Sequence, residues 1–197
     1  MTRAGSVSAR RGFTIVELLI VIVVIGILAA ISVVAYTGIQ DRARDSQRIS
    51  DIQTIVKALE IYKTNNGVYP DEVGTTNASG WEVTHNGTSA TNFLSALVSN
   101  QGVSKVPVDP RNFGVNTGVA ASLNPSRGSS NFTYYYHRYP AGANTCDAAR
   151  GDFYVLGITR MDSVPSGANH PDNPGFSCAS YNWSGSGAWQ TGAYTNG

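Results

Sequence analysis

Between Phe13 and Ala35 the chain is apolar at almost every position and carries a single charge, Glu17. About 20 apolar residues at a rise of about 1.5 Å each cross a hydrocarbon core of roughly 30 Å, so this run is long enough to span a bilayer as a helix. A carboxylate inside such a span costs on the order of 2.5–3.5 kcal/mol, which marks Glu17 as a functional residue in need of a partner. A free amine would serve. Cutting the chain after Gly12 would leave the α-amino group of Phe13 four residues from Glu17.

A basic leader ending in Arg10-Arg11-Gly12, followed by Phe13-Thr14-Ile15-Val16-Glu17 and a Leu/Ile/Val run, resembles the cleavage and N-methylation site of the type IV prepilin family, which includes the pseudopilins. The resemblance extends over roughly residues 10–70 and is most specific in the first half of that range. It implies that a membrane aspartyl peptidase, the prepilin peptidase, cuts between Gly12 and Phe13 and methylates the new N-terminus at Phe13. Phe13, Glu17 and Gly26 match the family's subunit-assembly positions, with Glu17 neutralising the N-terminal amine of a neighbouring subunit in the filament core. Many members carry a proline eight residues after the glycine matched by Gly26; this chain has Val34, a departure that bears on whether the helix partly melts there on assembly. Two other readings of the same run exist. A secretory signal peptide cut near Ala30-Ile31-Ser32 calls for an acid-free apolar region of about 7–15 residues, shorter than this one. A plain single-pass anchor accounts for the length and the Arg10-Arg11 flank but not for Glu17 or the Gly12-Phe13 junction.

Past the span, Asp41, Arg42, Arg44, Asp45, Arg48 and Asp51 place opposite charges three residues apart, a spacing that supports an exposed helix. Ile49, Ile52, Ile55/Val56, Leu59 and Tyr62 then recur at three- and four-residue steps, which predicts an amphipathic helix lying on a sheet. Asn65-Asn66-Gly67 accepts the left-handed conformation of a helix C-cap, and Pro70 forbids continuation. A helix from Phe13 to about Asn65 would be on the order of 80 Å long. Nothing else in the chain is apolar enough to pack around its first half. Outside a bilayer that half must bury itself against copies of itself, an argument for a filament that stands without the resemblance.

With 197 residues, 42% of them hydrophobic and 14% charged, the chain suits one anchor plus one domain. The predicted class is α+β: a leader over 1–12, a long helix over 13–66 (13–36 transmembrane or filament core, 37–66 amphipathic), and an extracellular, β-rich head over 67–197 with a small antiparallel sheet. Trp81-Glu82-Val83 reads as a short strand. Phe93–Val98 reads as a short helix capped by Thr91 or Asn92 and closed by Gly102, and Val106–Pro110 as extended chain. Phe132–Tyr139 and Asp152–Met161 are strands by their aromatic and β-branched content, with a third strand at 176–183 or 188–194. Arg3, Arg10 and Arg11 keep the leader cytoplasmic, so the chain beyond the span lies outside. Without these arginines the formal charge of +1 turns negative, and no basic face for nucleic acid remains. Cys146 and Cys178 are either bridged or two buried free thiols; an exported domain and an even count favour a bridge, closing a loop of about 33 residues worth roughly 3–4 kcal/mol.

His85, His137 and His170 stand in separate segments, and the chain has no Gly-x-Ser-x-Gly, phosphate loop or Cys-x-x-Cys, so no enzymatic activity is expected. Asp147, Asp152, Asp162 and Asp172 lie near the cysteines, where some secretion pseudopilins bind calcium. Their spacing does not match D-x-[DN]-x-[DN]-G, and no metal ligand is assigned. Tyr181, Trp183, Trp189 and Tyr194 either stack on a sugar or, more commonly for such residues, pack a last strand or a subunit contact. Asn-x-Ser/Thr triplets at Asn77, Asn86, Asn131 and Asn182 are expected by chance. The leading expectation is a pilin-like structural subunit, with itself, the prepilin peptidase, the pilus or secretion assembly machinery and the membrane as partners. A pseudopilin of a type II secretion or DNA-uptake system is the alternative within the family, and a membrane-tethered extracellular binding module the alternative outside it.

Overall fold

The computed structural model describes residues 12–72, 80–84, 93–100, 103–111, 132–185 and 187–197. His85, the caps Thr91 and Asn92, Gly102, Arg10-Arg11 and the triplets at Asn77, Asn86 and Asn131 lie outside them. The chain is α+β, with a long N-terminal helix followed by a small antiparallel sheet. Its residues form two units, one ending at Gln40 and one spanning Asp41–Gly197.

Helix α1 runs from Ile15 to Asn66, 52 residues without a break, through Gly26 and Val34. It stops where the sequence predicts. Gly67 adopts φ +78° and its N–H donates to the Lys63 carbonyl at 2.7 Å. A left-handed residue is inexpensive only for glycine, and the proline shortly after it cannot rejoin the helix.

In the Asp41–Gly197 unit, β1 (Glu82–Val83), α2 (Ser95–Asn100), β2 (Tyr134–Tyr139), β3 (Phe153–Ile158), β4 (Ser177–Cys178), β5 (Tyr181–Asn182) and β6 (Trp189–Tyr194) succeed one another in chain order. The main sheet is antiparallel in the order β1-β2-β3-β6, in register at Tyr136↔Leu156 and Leu156↔Thr191. Both candidate segments for a third strand are therefore extended, but only 189–194 joins β3; 177–182 folds into the separate β4–β5 hairpin.

Strand β3 and the first half of β2, Tyr134–Tyr136, are buried on both faces, which is why they read as continuous aromatic and aliphatic runs rather than alternating ones. Tyr134, Tyr136, Tyr154, Leu156 and Ile158 share one core with Ile52, Ile55 and Leu59 of α1. Tyr135, Phe153 and Val155 face the other way, into a second core closed by Trp81, Trp183 and the Cys146–Cys178 disulfide. The Tyr135 ring lies across Gly157: a Cβ there would sit 2.4 Å from its Cζ and 2.6 Å from the Trp189 carbonyl oxygen. Because one obstacle is backbone, the Gly157→Ala chain should lose about 1–3 kcal/mol of unfolding free energy, as overpacked cores do. Denaturant titration reads this directly, and an unchanged midpoint would contradict the packing described.

The charged interval of α1 is exposed only in part: Arg42 faces solvent, while Asp45 and Arg48 do not. Arg48 has 0% exposure and Asp45 2%. Arg48 Nη1 donates to Asp45 at 2.6 Å and to Asp162 at 2.9 Å, and its Nε and Nη2 donate to Asp109 at 2.7 and 3.1 Å. The Asp45 carboxylate in turn accepts the backbone N–H groups of Asp162 and Ser163. The i,i+3 pattern was right about Asp45 and Arg48 as a pair and silent about Asp109 and Asp162, which arrive from 61 and 114 residues away and exclude water from it. Phe132 completes the site, with the Arg48, Arg111 and Arg160 guanidinium carbons 4.7–5.1 Å from its ring centre.

Candidate functional site at the start of the helix

Gly12, Phe13 and Thr14 precede α1 in irregular, exposed chain, and Phe13 is 89% exposed. A peptidase needs a scissile bond outside regular structure, and the Gly12-Phe13 bond meets that condition. Thr14 is the residue before the helix, and its hydroxyl accepts the N–H of Glu17 at 3.2 Å. Glu17 returns the contact: its Oε2 accepts the Thr14 N–H and the Thr14 hydroxyl, both at 2.8 Å. This is a capping box, in which two N–H groups at the helix start are satisfied reciprocally by side chains three residues apart. It places the carboxylate at the positive end of the helix dipole. The signal was present in the sequence as Thr-x-x-Glu before an apolar run, and an account of Glu17 based on charge alone passes over it.

Behind the box, every described side chain from Ile15 to Val33 is exposed. Ile15, Val16, Leu18, Ile20, Ile25 and Leu28, which point in different directions around the helix, are each at least half exposed. A Cβ at Gly26 would meet nothing within 4 Å. By length and composition α1 is apolar enough to cross a membrane. Leaving such a surface in water is costly, since the hydrophobic effect is worth about 25 cal/mol per Å².

The remaining sequence candidates are dispersed. His137 Nδ1 lies 2.7 Å from Glu72 Oε1, and its ring packs edge-on against Tyr139 at 4.3 Å. His170 Nδ1 accepts the Asp172 N–H. Asp147 caps a short turn through the Ala149 N–H, Asp152 binds Arg138 and the Ala141 N–H, and Asp162 belongs to the Arg48 cluster. Among the described residues no three His, Cys, Asp or Glu side chains are grouped to hold a metal ion. Of the aromatic tail, Trp183, Trp189 and Tyr194 are core residues and only Tyr181 is exposed.

Residues 7–33 match the model of the prokaryotic N-terminal methylation motif. The chain carries a prepilin-type N-terminus. It is 42% identical over 62 residues to type II secretion system core protein G of Klebsiella michiganensis, a match covering 32% of this chain and 44% of that protein. The core protein G of Escherichia coli strain K12 is 41% identical over 61 residues (31% and 42%), and that of Pseudomonas aeruginosa 41% over 59 (30% and 42%). The chain thus spans less than half the length of these relatives. No solved structure matches it.

Proposed function

We propose that this chain is a pseudopilin-type structural subunit of a secretion-linked filament. It is held in the cytoplasmic membrane by the first half of α1 with its leader inside, cut by the prepilin peptidase between Gly12 and Phe13, methylated at Phe13, and polymerised through the same helix outside. The carrying observation is an α1 whose described side chains from Ile15 to Val33 are all exposed yet which begins in a capped carboxylate, Glu17. Lipid covers that surface before assembly and sister helices afterwards. In the second state Glu17 is the group available to neutralise the amine of an incoming Phe13, and Gly26 permits close helix approach. The motif alone fits a pilin of a long surface fibre equally well; the names of the relatives favour the secretion subunit over that leading sequence expectation. Its partners on this reading are further copies of itself, the peptidase and the assembly machinery, and its role is architectural rather than catalytic.

Intact-mass measurement on the protein from its native membrane tests the reading. The expected chain begins at methylated Phe13. One beginning at Met1 or Thr2 removes the prepilin reading and leaves a tethered binding module. Electron microscopy of whole cells separates a short envelope-confined rod from long surface fibres, which would restore the pilin.

A further inference from the structure

Polymerisation through α1 brings the Asp41–Gly197 units of successive subunits together, and the sheet edges are poorly suited to join them. Strand β1 is two residues long, and β6 is covered along its start, where the Gln190 N–H donates to Asn173 Oδ1 at 2.9 Å and the Ala188 carbonyl accepts from the His170 N–H at 2.8 Å. Contact must then be made by side chains. Between α1 and β6 lies an open groove of about 270 Å³ lined by apolar Ile52, Val56 and Trp189 and by polar Gln53, Lys57 and Thr191. It is smaller than the roughly 300–1,000 Å³ of small-molecule sites and of a size for one large side chain. Along this part of α1 the acids turn away or are engaged: Asp45 in the Arg48 cluster, Asp51 by the Tyr134 hydroxyl, Glu60 by Lys63 and Tyr69. Arg42 and Lys57 are exposed, so the helix offers its outer side as a cationic one.

The same unit displays a complementary feature. Tyr181, 47% exposed, is its one exposed large aromatic among the described residues. It stands on the β4–β5 hairpin, opposite Cys178, whose bridge to Cys146 fixes the hairpin, and its ring is braced 4.5 Å from Trp183. Asp147, next to bridged Cys146, is exposed, while the nearby cation Arg150 is folded onto the Tyr194 ring at 3.8 Å. A rigid aromatic on a hairpin that the disulfide ties to the turn carrying the Asp147 carboxylate matches an apolar groove lined by an ammonium, in shape class and in charge. We propose that Tyr181 of one subunit seats in the Ile52/Val56/Trp189 groove of another copy of this chain, with Asp147 facing Lys57. Knob and groove lie on different parts of the surface, so the contact is heterologous and propagates as an open helix, which is the symmetry a filament requires.

This contact rests on the polymeric reading above, and the test separates the two. In cells assembling the full chain, Tyr181→p-benzoylphenylalanine is irradiated and the products are mapped by peptide mass. The expected product is a covalent dimer joining position 181 to the peptide around Ile52–Lys57 or Trp189–Thr191 of a second copy. Lys57→Glu should lower its yield about tenfold, and Lys57→Glu combined with Asp147→Lys should restore it, a factor of ten corresponding to about 1.4 kcal/mol between an attractive and a repulsive pair. Polymer that forms without this dimer, or with position 181 joined to another surface or another protein, overturns the contact and leaves the polymeric reading intact. If the unmodified chain forms no sedimentable polymer, the polymeric reading falls and the contact with it.

Discussion

An Arg48→Ala chain should lose about 3–5 kcal/mol of stability in its Asp41–Gly197 unit, the range for breaking a buried ion cluster by removing one partner. Arg48 is wholly buried, and its guanidinium is the shared donor of Asp45, Asp109 and Asp162. Without it, buried carboxylates face one another at close range, and loss of the cation is compounded by their repulsion. The cluster also fastens the head to α1, because Asp109 and the 162–163 backbone reach the helix through it. Arg48→Lys keeps the charge but not the planar fork that serves three carboxylates, so an intermediate loss is expected. Arg44→Ala, at a side chain a quarter exposed, should cost about 1 kcal/mol or less. Denaturant unfolding of the full chain in detergent, monitored by tryptophan fluorescence, ranks the three; an Arg48→Ala loss no larger than that of Arg44→Ala would contradict the account. The cluster also sets a pH response. Burial alone would raise the Asp162 carboxyl, but hydrogen bonds from Arg44 and Arg48 outweigh it and hold the group below its usual range. Its stabilising contribution is therefore complete above the ordinary aspartate range and is lost as pH falls through the lower, folded-state value.

Glu17→Gln should leave membrane insertion intact and cut polymer yield by about 10- to 100-fold. Glutamine preserves the capping box, since it can still accept from Thr14, while it removes the charge proposed to meet the neighbouring amine. A charge-assisted hydrogen bond contributes about 1.5–3 kcal/mol, which is one to two factors of ten in the equilibrium for adding a subunit. Glu17→Val removes charge and cap together and should assemble no better. Pelleting of filaments against membrane-retained protein reads both variants. If Glu17→Gln assembles like the unaltered chain, the carboxylate serves the helix start alone, and the pairing with Phe13 is wrong.

Much of this was legible from local pattern. The periodicity of Ile52, Ile55 and Leu59 gave the buried face of α1, Gly67 and Pro70 its end, and the β-branched and aromatic runs gave β2 and β3. Residues 7–33 carried the motif in their order alone. The capping box was equally local. Less legible were features whose partners are distant in the chain. Asp45 and Arg48 satisfy a surface pattern and a buried one equally well, because the pattern concerns three residues and the burial depends on residues 109 and 162. Tyr135 and Gly157 are neighbours only through strand register, and nothing near Phe176 says whether it or Trp189 begins the strand that joins β3.

The amino-acid sequence by itself determined a long helix with an uncovered apolar half, a single acid near its start, and an aromatic strand pair, since each arises from residues within a few turns or a few steps of one another. Only the tertiary structure decided that the sheet is covered on both faces, that Arg48 is an internal cation, and that Tyr181 alone of the aromatic tail is left outside. Each of these depends on which distant segments exclude water from a side chain, and hydrophobic pattern reports a residue's preference for burial without naming what will bury it.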